Sequence, residues 1–213
     1  MDHPVDRLCA RLHLALRAGR PDPADVAALA CELLDLGHGG PAVTEAVGRR
    51  PGDVPAAELP ALARRLLDEA AFSPGFALAP ERLATLRSAL AVVARDLRAG
   101  GFTDEPRLVV QDGWYPESAG VVLADGWLHG GDLPAETGDR LSGAVAAVAA
   151  HVQESVTERD RTVWPLCPDH RLGLHAVQRD GAALWWCAAG PGHPAAAVGA
   201  LPPTARTSRR SPR

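Results

Sequence analysis

The chain has 213 residues, 46% of them apolar and only 4% aromatic, and carries a formal net charge of −4. That length suits one large domain or two small ones. Lys, Asn and Ile are absent, as the codon usage of a GC-rich genome would give, and the missing lysine excludes Walker-type phosphate loops, Schiff-base and pyridoxal-phosphate chemistry, and protein-kinase chemistry. There is no G-x-G-x-x-G dinucleotide fingerprint and no G-x-S-x-G nucleophile elbow.

The amino-terminal hundred residues read as helices. Val5, Leu8, Cys9, Leu12 and Leu16 recur at helical spacing, and Arg20-Pro21-Asp22-Pro23 ends that helix with Asp22 placed to cap the next. The second helix carries Val26, Leu29, Ala30, Leu33 and Leu34 and stops at Gly37-His38-Gly39-Gly40. A short helix from Pro41 to Val47 follows. Leu59, Leu62, Leu66 and Leu67 mark a fourth helix, and Leu83, Leu86, Leu90, Val93 and Leu97 a fifth, ended by Gly100-Gly101. The short connections predict an α-helical bundle over residues 1–101. Cys9 and Cys31 fall on apolar helix faces and are expected to be core thiols.

Composition changes after Gly101, since all five Trp and the single Tyr lie beyond it. Residues 101–200 also carry 13 acids against 6 Arg. Arg107–Gln111 and Gly120–Ala124 read as strands around the turn residues Asp112-Gly113-Trp114-Tyr115-Pro116. Ala135–Arg159 reads as one long helix with a core stripe of Leu141, Val145, Val148, Val152 and Val156. Strands are expected around Leu174–Val177 and Ala183–Cys187, then a last short apolar run over Ala195–Leu201. The expected fold is α+β: the bundle, an α+β domain over 102–201 with a zinc-ribbon-like end, and a disordered basic tail over 202–213. That tail holds four Arg and no acid.

The chemistry gathers near the carboxy-terminal end. Trp164-Pro165-Leu166-Cys167-Pro168-Asp169-His170 is followed by Trp185-Trp186-Cys187 and by His193 after a Gly-Pro-Gly loop. Two Cys and two His, paired around a predicted hairpin, form the donor set of a tetrahedral zinc site. Cys167, His170, Cys187 and His193 are therefore the candidate ligands and zinc the candidate cofactor, with His175 the rival for the fourth position. The competing reading makes the two cysteines small buried hydrophobes and leaves the histidines on the surface.

The run His151-Val152-Gln153-Glu154, then Glu158, then the W-P-x-C-P-x-H segment and Trp186-Cys187, resembles uncharacterised actinobacterial proteins that carry this segment after a Q-E helix. The Asp35–Ala42 turn is similar to helical parts of such proteins. The resemblance implies a metal knuckle and a bacterial origin, and implies no activity.

Three functions are compatible with these residues. The first is a non-catalytic interaction or adaptor module with a structural zinc and an unknown protein partner. The second is a zinc hydrolase: His151, Glu154 and Glu158 share a helix face, and either glutamate would serve as base if one metal position stayed open. The zinc-deaminase H-x-E motif and the H-E-x-x-H motif are both absent, however. The third, nucleic-acid binding through Arg206–Arg213, is disfavoured by the acidic body. Of the tryptophans, adjacent Trp185 and Trp186 should point to opposite faces of a strand, leaving one of them as a contact surface. No secretory signal or membrane-spanning run is found, so a soluble, cytoplasmic protein is expected.

Overall fold

The computed structural model describes residues 4–111 and 117–203. Among these residues five α-helices come first, then a three-stranded antiparallel sheet, a sixth α-helix (α6, Leu141–Asp160) and a second three-stranded antiparallel sheet. The chain divides into two compact units, Met1–Pro74 and Gly75–Arg213.

The first unit contains α1 (Pro4–Arg17), α2 (Pro23–Asp35), α3 (Pro41–Val47) and α4 (Leu59–Glu69). Its core is most of the helical stripe expected from the sequence: Cys9, Leu12, Val26, Leu29, Leu33, Leu62 and Leu66 are buried and joined by Val43 of α3, whereas Leu34 is exposed. The Asp22 side chain accepts from the Ala24 amide at 2.8 Å and so caps α2. At the far end Gly37 takes a left-handed φ of 87°, which lets the His38 amide reach back to Leu33 O at 2.9 Å. The first turn of α3 is satisfied from a distance, because the Ala42 and Val43 amides donate to the Glu69 carboxylate at 2.7 and 3.1 Å. Gly40 leaves room for that carboxylate, which a side chain there would strike.

The second unit contains α5 (Pro80–Ala99), β1 (Arg107–Gln111), β2 (Ser118–Val122), β3 (Leu133–Pro134), α6 (Leu141–Asp160), β4 (His175–Arg179), β5 (Ala182–Cys187) and β6 (His193–Ala197). The sequence places the domain boundary at Gly101, where composition changes. In the structure α5 belongs to the second unit: Leu86, Leu90, Val93 and Leu97 join one buried cluster with Val148, Val152, Val156, Trp164 and Trp185. An amphipathic stripe shows that a helix is half-buried without showing which core buries it.

Both sheets use the same logic. In the first, β1 pairs with the whole of β2, while β3 covers only Ser118 and Ala119. In the second, β5 is central, and its pairing puts Ala176 beside Trp185 and His175 beside Trp186. Trp185 is fully buried, edge-on to Trp164 at 5.6 Å, and Trp164 is in turn edge-on to Phe102 at 5.5 Å.

Three expectations change. The long helix begins at Leu141, not Ala135, because residues 135–139 form a 3-10 turn in which Gly138 lies hard against the Arg82 backbone. Leu141 then sits at the first helical position and is 51% exposed, so the core stripe starts at Val145. Cys31 faces solvent, whereas Cys9 is buried as expected. Trp114, Tyr115 and the basic tail from residue 204 lie outside the described residues. No helix among the described residues is long and apolar enough to cross a membrane.

Candidate metal centre

Two short hairpins build the site. Leu166 bridges Gly173, the Cys167 amide donates to Leu172 O at 2.7 Å, and the Arg171 amide donates to Cys167 O at 2.9 Å. Arg171 takes a left-handed φ of 58°, which closes the turn. This knuckle lies against α6 through a hydrogen bond from Gln153 Nε2 to Leu174 O. The second hairpin is β5–β6, where Cys187 and His193 are direct partners across the ladder. Gly190 and Gly192 in its loop both have positive φ, and Gly192 also leaves space for the Trp186 ring.

One ligand atom from each of Cys167, His170, Cys187 and His193 lies within 4.8 Å of every other. Cys167 Sγ is 3.5 Å from His170 Nδ1 and 3.7 Å from His193 Nε2, and Cys187 Sγ is 3.6 Å from His170 Nδ1. The two imidazole centroids are 5.1 Å apart. Both sulfurs come from the hydrophobic core, while His170 is exposed and His193 half-buried. The cluster can therefore hold a metal ion, with thiols beneath and imidazoles on the solvent side. Burial pushes the Cys167 thiol up, but hydrogen bonds from the His170 backbone and ring, the Asp169 backbone and Cys187 outweigh it and bring the thiol down to about 6. His175 lies outside this group; it starts β4, exposed, opposite Trp186.

Compared with protein-family models, with curated proteins and with solved structures, the chain matches none.

The other sequence candidates are occupied elsewhere. His151 is buried, and its Nε2 accepts from the Val121 amide at 3.0 Å, covering the edge of β2 where β3 has ended. Burial pulls the pKa of this ring down, against the opposing charge of Glu154. Glu154 accepts from the Gly131 amide at 3.3 Å and Glu158 from the Gly130 amide at 3.1 Å. That helix face thus holds the β2–β3 loop, and neither glutamate belongs to the metal-competent group.

Trp185 is core, as the alternation of a strand requires for one member of the pair. Trp186 is half-buried, with the Arg179 guanidinium 3.8 Å above its ring. The exposed indole among the described residues is Trp127, at 72%. From the sequence Trp127 counts with the other aromatic residues of this half as core or contact surface, with core favoured for most; Ala124-Asp125-Gly126-Trp127 is a turn signal that argues against burial. Asp96 carries no such signal. It is fully buried, and its carboxylate accepts from Trp185 Nε1 and the Gly199 amide, both at 2.6 Å, and from the Leu201 amide at 2.8 Å.

Proposed function

We propose that the chain is a non-catalytic interaction module whose carboxy-terminal hairpins are tied by one structural zinc ion. The observation that carries this is the ligand geometry. Zinc bound to thiolate and imidazole at tetrahedral angles puts neighbouring sulfur and nitrogen about 3.6 Å apart. The three sulfur–nitrogen distances run from 3.5 to 3.7 Å. A two-iron cluster would place thiolates and imidazoles on different irons, too far apart for one mutual group. Two thiolates also balance the charge of a dication, and a knuckle beside a β-hairpin is the arrangement of a zinc ribbon.

Four protein ligands close the coordination shell, which supports a structural role over the hydrolase, where a water must occupy one position. The hydrogen bonds of Glu154 and Glu158 to Gly131 and Gly130 support the same choice. The four free thiols suit a reducing cytoplasm.

Elemental analysis of the purified chain tests the reading: one zinc per chain is expected, lost in Cys167→Ser. Cobalt substitution tests closure. Visible bands of a tetrahedral S2N2 site that ignore added cyanide or azide support a structural ion; bands that shift would mean an open position and favour the hydrolase.

A further inference from the structure

We infer that the β2–β3 loop, with Trp127 at its tip, is the docking surface for an arginine-bearing segment of a partner protein. This rests on the interaction-module reading and names its surface and partner chemistry.

Trp127 is 72% exposed and its neighbour Leu128 is 46% exposed, although the second unit has a core that takes other large side chains. The exposed pair is held in place. Leu128 lies across Gly120 of β2, where a side chain would displace it. Ser155 Oγ donates to His129 O at 3.0 Å, and Glu158 and Glu154 take the amides of Gly130 and Gly131. Asp125 binds His129 Nε2 at 2.6 Å. An indole fixed in water on an anchored loop is ready to bind with little ordering cost.

Charge selects the partner. Asp125, Asp132, Glu154 and Glu158 are all exposed on this loop and on the helix face beneath it. Arg159, at the same end of α6, is committed to Asp104 at 2.6 Å and Asp160 at 2.8 Å. An apolar partner would strip water from these carboxylates without replacing it, and phosphate-bearing partners would be repelled. Arginine satisfies both features, stacking its planar face on the indole while its N–H fork meets a carboxylate. The chain already uses this pairing internally, with Arg179 over Trp186.

The test measures fluorescence anisotropy of a labelled peptide, four arginines spaced by glycine and serine, titrated with the full chain. Saturable, salt-sensitive binding is expected, weakened about tenfold or more by Trp127→Ala. Asp132→Asn, whose amide oxygen still accepts from Gln111 Nε2, should weaken it less and flatten its salt dependence. A lysine analogue should bind several-fold more weakly. Wild-type affinity in Trp127→Ala, or equal binding of the lysine analogue, overturns the proposal. So does binding at least tenfold tighter once residues 204–213 are removed, because the chain's own arginine tail would then be the occupant. Metal content measured on the same samples separates the two readings: zinc without peptide binding sinks the docking surface alone, and peptide binding without zinc sinks the structural zinc alone.

Discussion

The Trp185 indole donates to Asp96 at 2.6 Å inside the core of the second unit, and both side chains are fully buried. The same carboxylate holds the amides of Gly199 and Leu201, so one residue of α5 fixes both the central strand of the second sheet and the segment that follows β6. Both carboxylate oxygens accept from N–H donors. An asparagine would have to present its own NH2 to one of them.

Asp96→Ala should therefore destabilise the second unit by about 3–5 kcal/mol, because it leaves the buried Trp185 N–H and two half-buried amides unmet. Asp96→Asn should still cost on the order of 2 kcal/mol. Urea denaturation followed by tryptophan fluorescence measures both; a loss in Asp96→Ala no larger than that of an exposed aspartate would contradict the assignment.

Chelation should act on one unit only. With the metal removed, the unfolding midpoint of Gly75–Arg213 should drop on the order of 10 °C, as should that of Cys187→Ser. Met1–Pro74 has its own buried cluster and should keep its hydrogen-exchange protection. Equal loss of protection in both units would count against this division.

Stability should depend on pH through His151. Burial lowers the folded pKa of this ring below its ordinary 6.5. Below that pH the unfolded chain takes up the proton more readily than the folded one. The contribution of neutral His151 is thus whole above 6.5 and lost as pH falls toward the folded value, at no more than about 1.4 kcal/mol per pH unit. His151→Gln keeps an acceptor for the Val121 amide and should flatten that slope relative to wild type. Parallel slopes in the two proteins would exclude His151 as the source.

Thiol reactivity should sort the four cysteines. Burial pushes the Cys9 thiol up to about 12, with Asp6 adding to it, and the core encloses it. Cys31 is exposed. In the metal-loaded protein a maleimide should modify Cys31 rapidly and leave Cys9, Cys167 and Cys187 intact. Mass spectrometry of the digested adduct reads this directly; early labelling of Cys167 in the loaded protein would show that no metal protects it.

The helices were legible in sequence because apolar residues repeat with the helical period between clear stop signals, as from Val26 to Leu33 before Gly37. The ligand set was legible because Cys and His are rare and paired here. Other features depend on tertiary geometry. The stripe of α5 looks the same whichever core receives it, and Asp96 reads as an ordinary polar helix position until Trp185 meets it from 89 residues away. His151, Glu154 and Glu158 share a face as their spacing predicts, yet His151 takes the β2 amide of Val121 that the short β3 does not reach, and the two glutamates take loop amides. The spacing of Cys31 suggested burial, which only the packing around α2 could decide.

Where Trp185 and Cys187 fall along the chain sets an order for biosynthesis. The first unit is complete in sequence by Pro74, so it can fold while the rest is still being made. The second cannot, since α5 and α6 emerge long before β5, whose Trp185 completes the cluster they share, and before the second thiol. Until β5 is made, the cluster that Leu86, Val93 and Val152 share with Trp185 is incomplete. The four residues of the proposed metal site are together only once His193 has been made, so any metal capture comes after both helices.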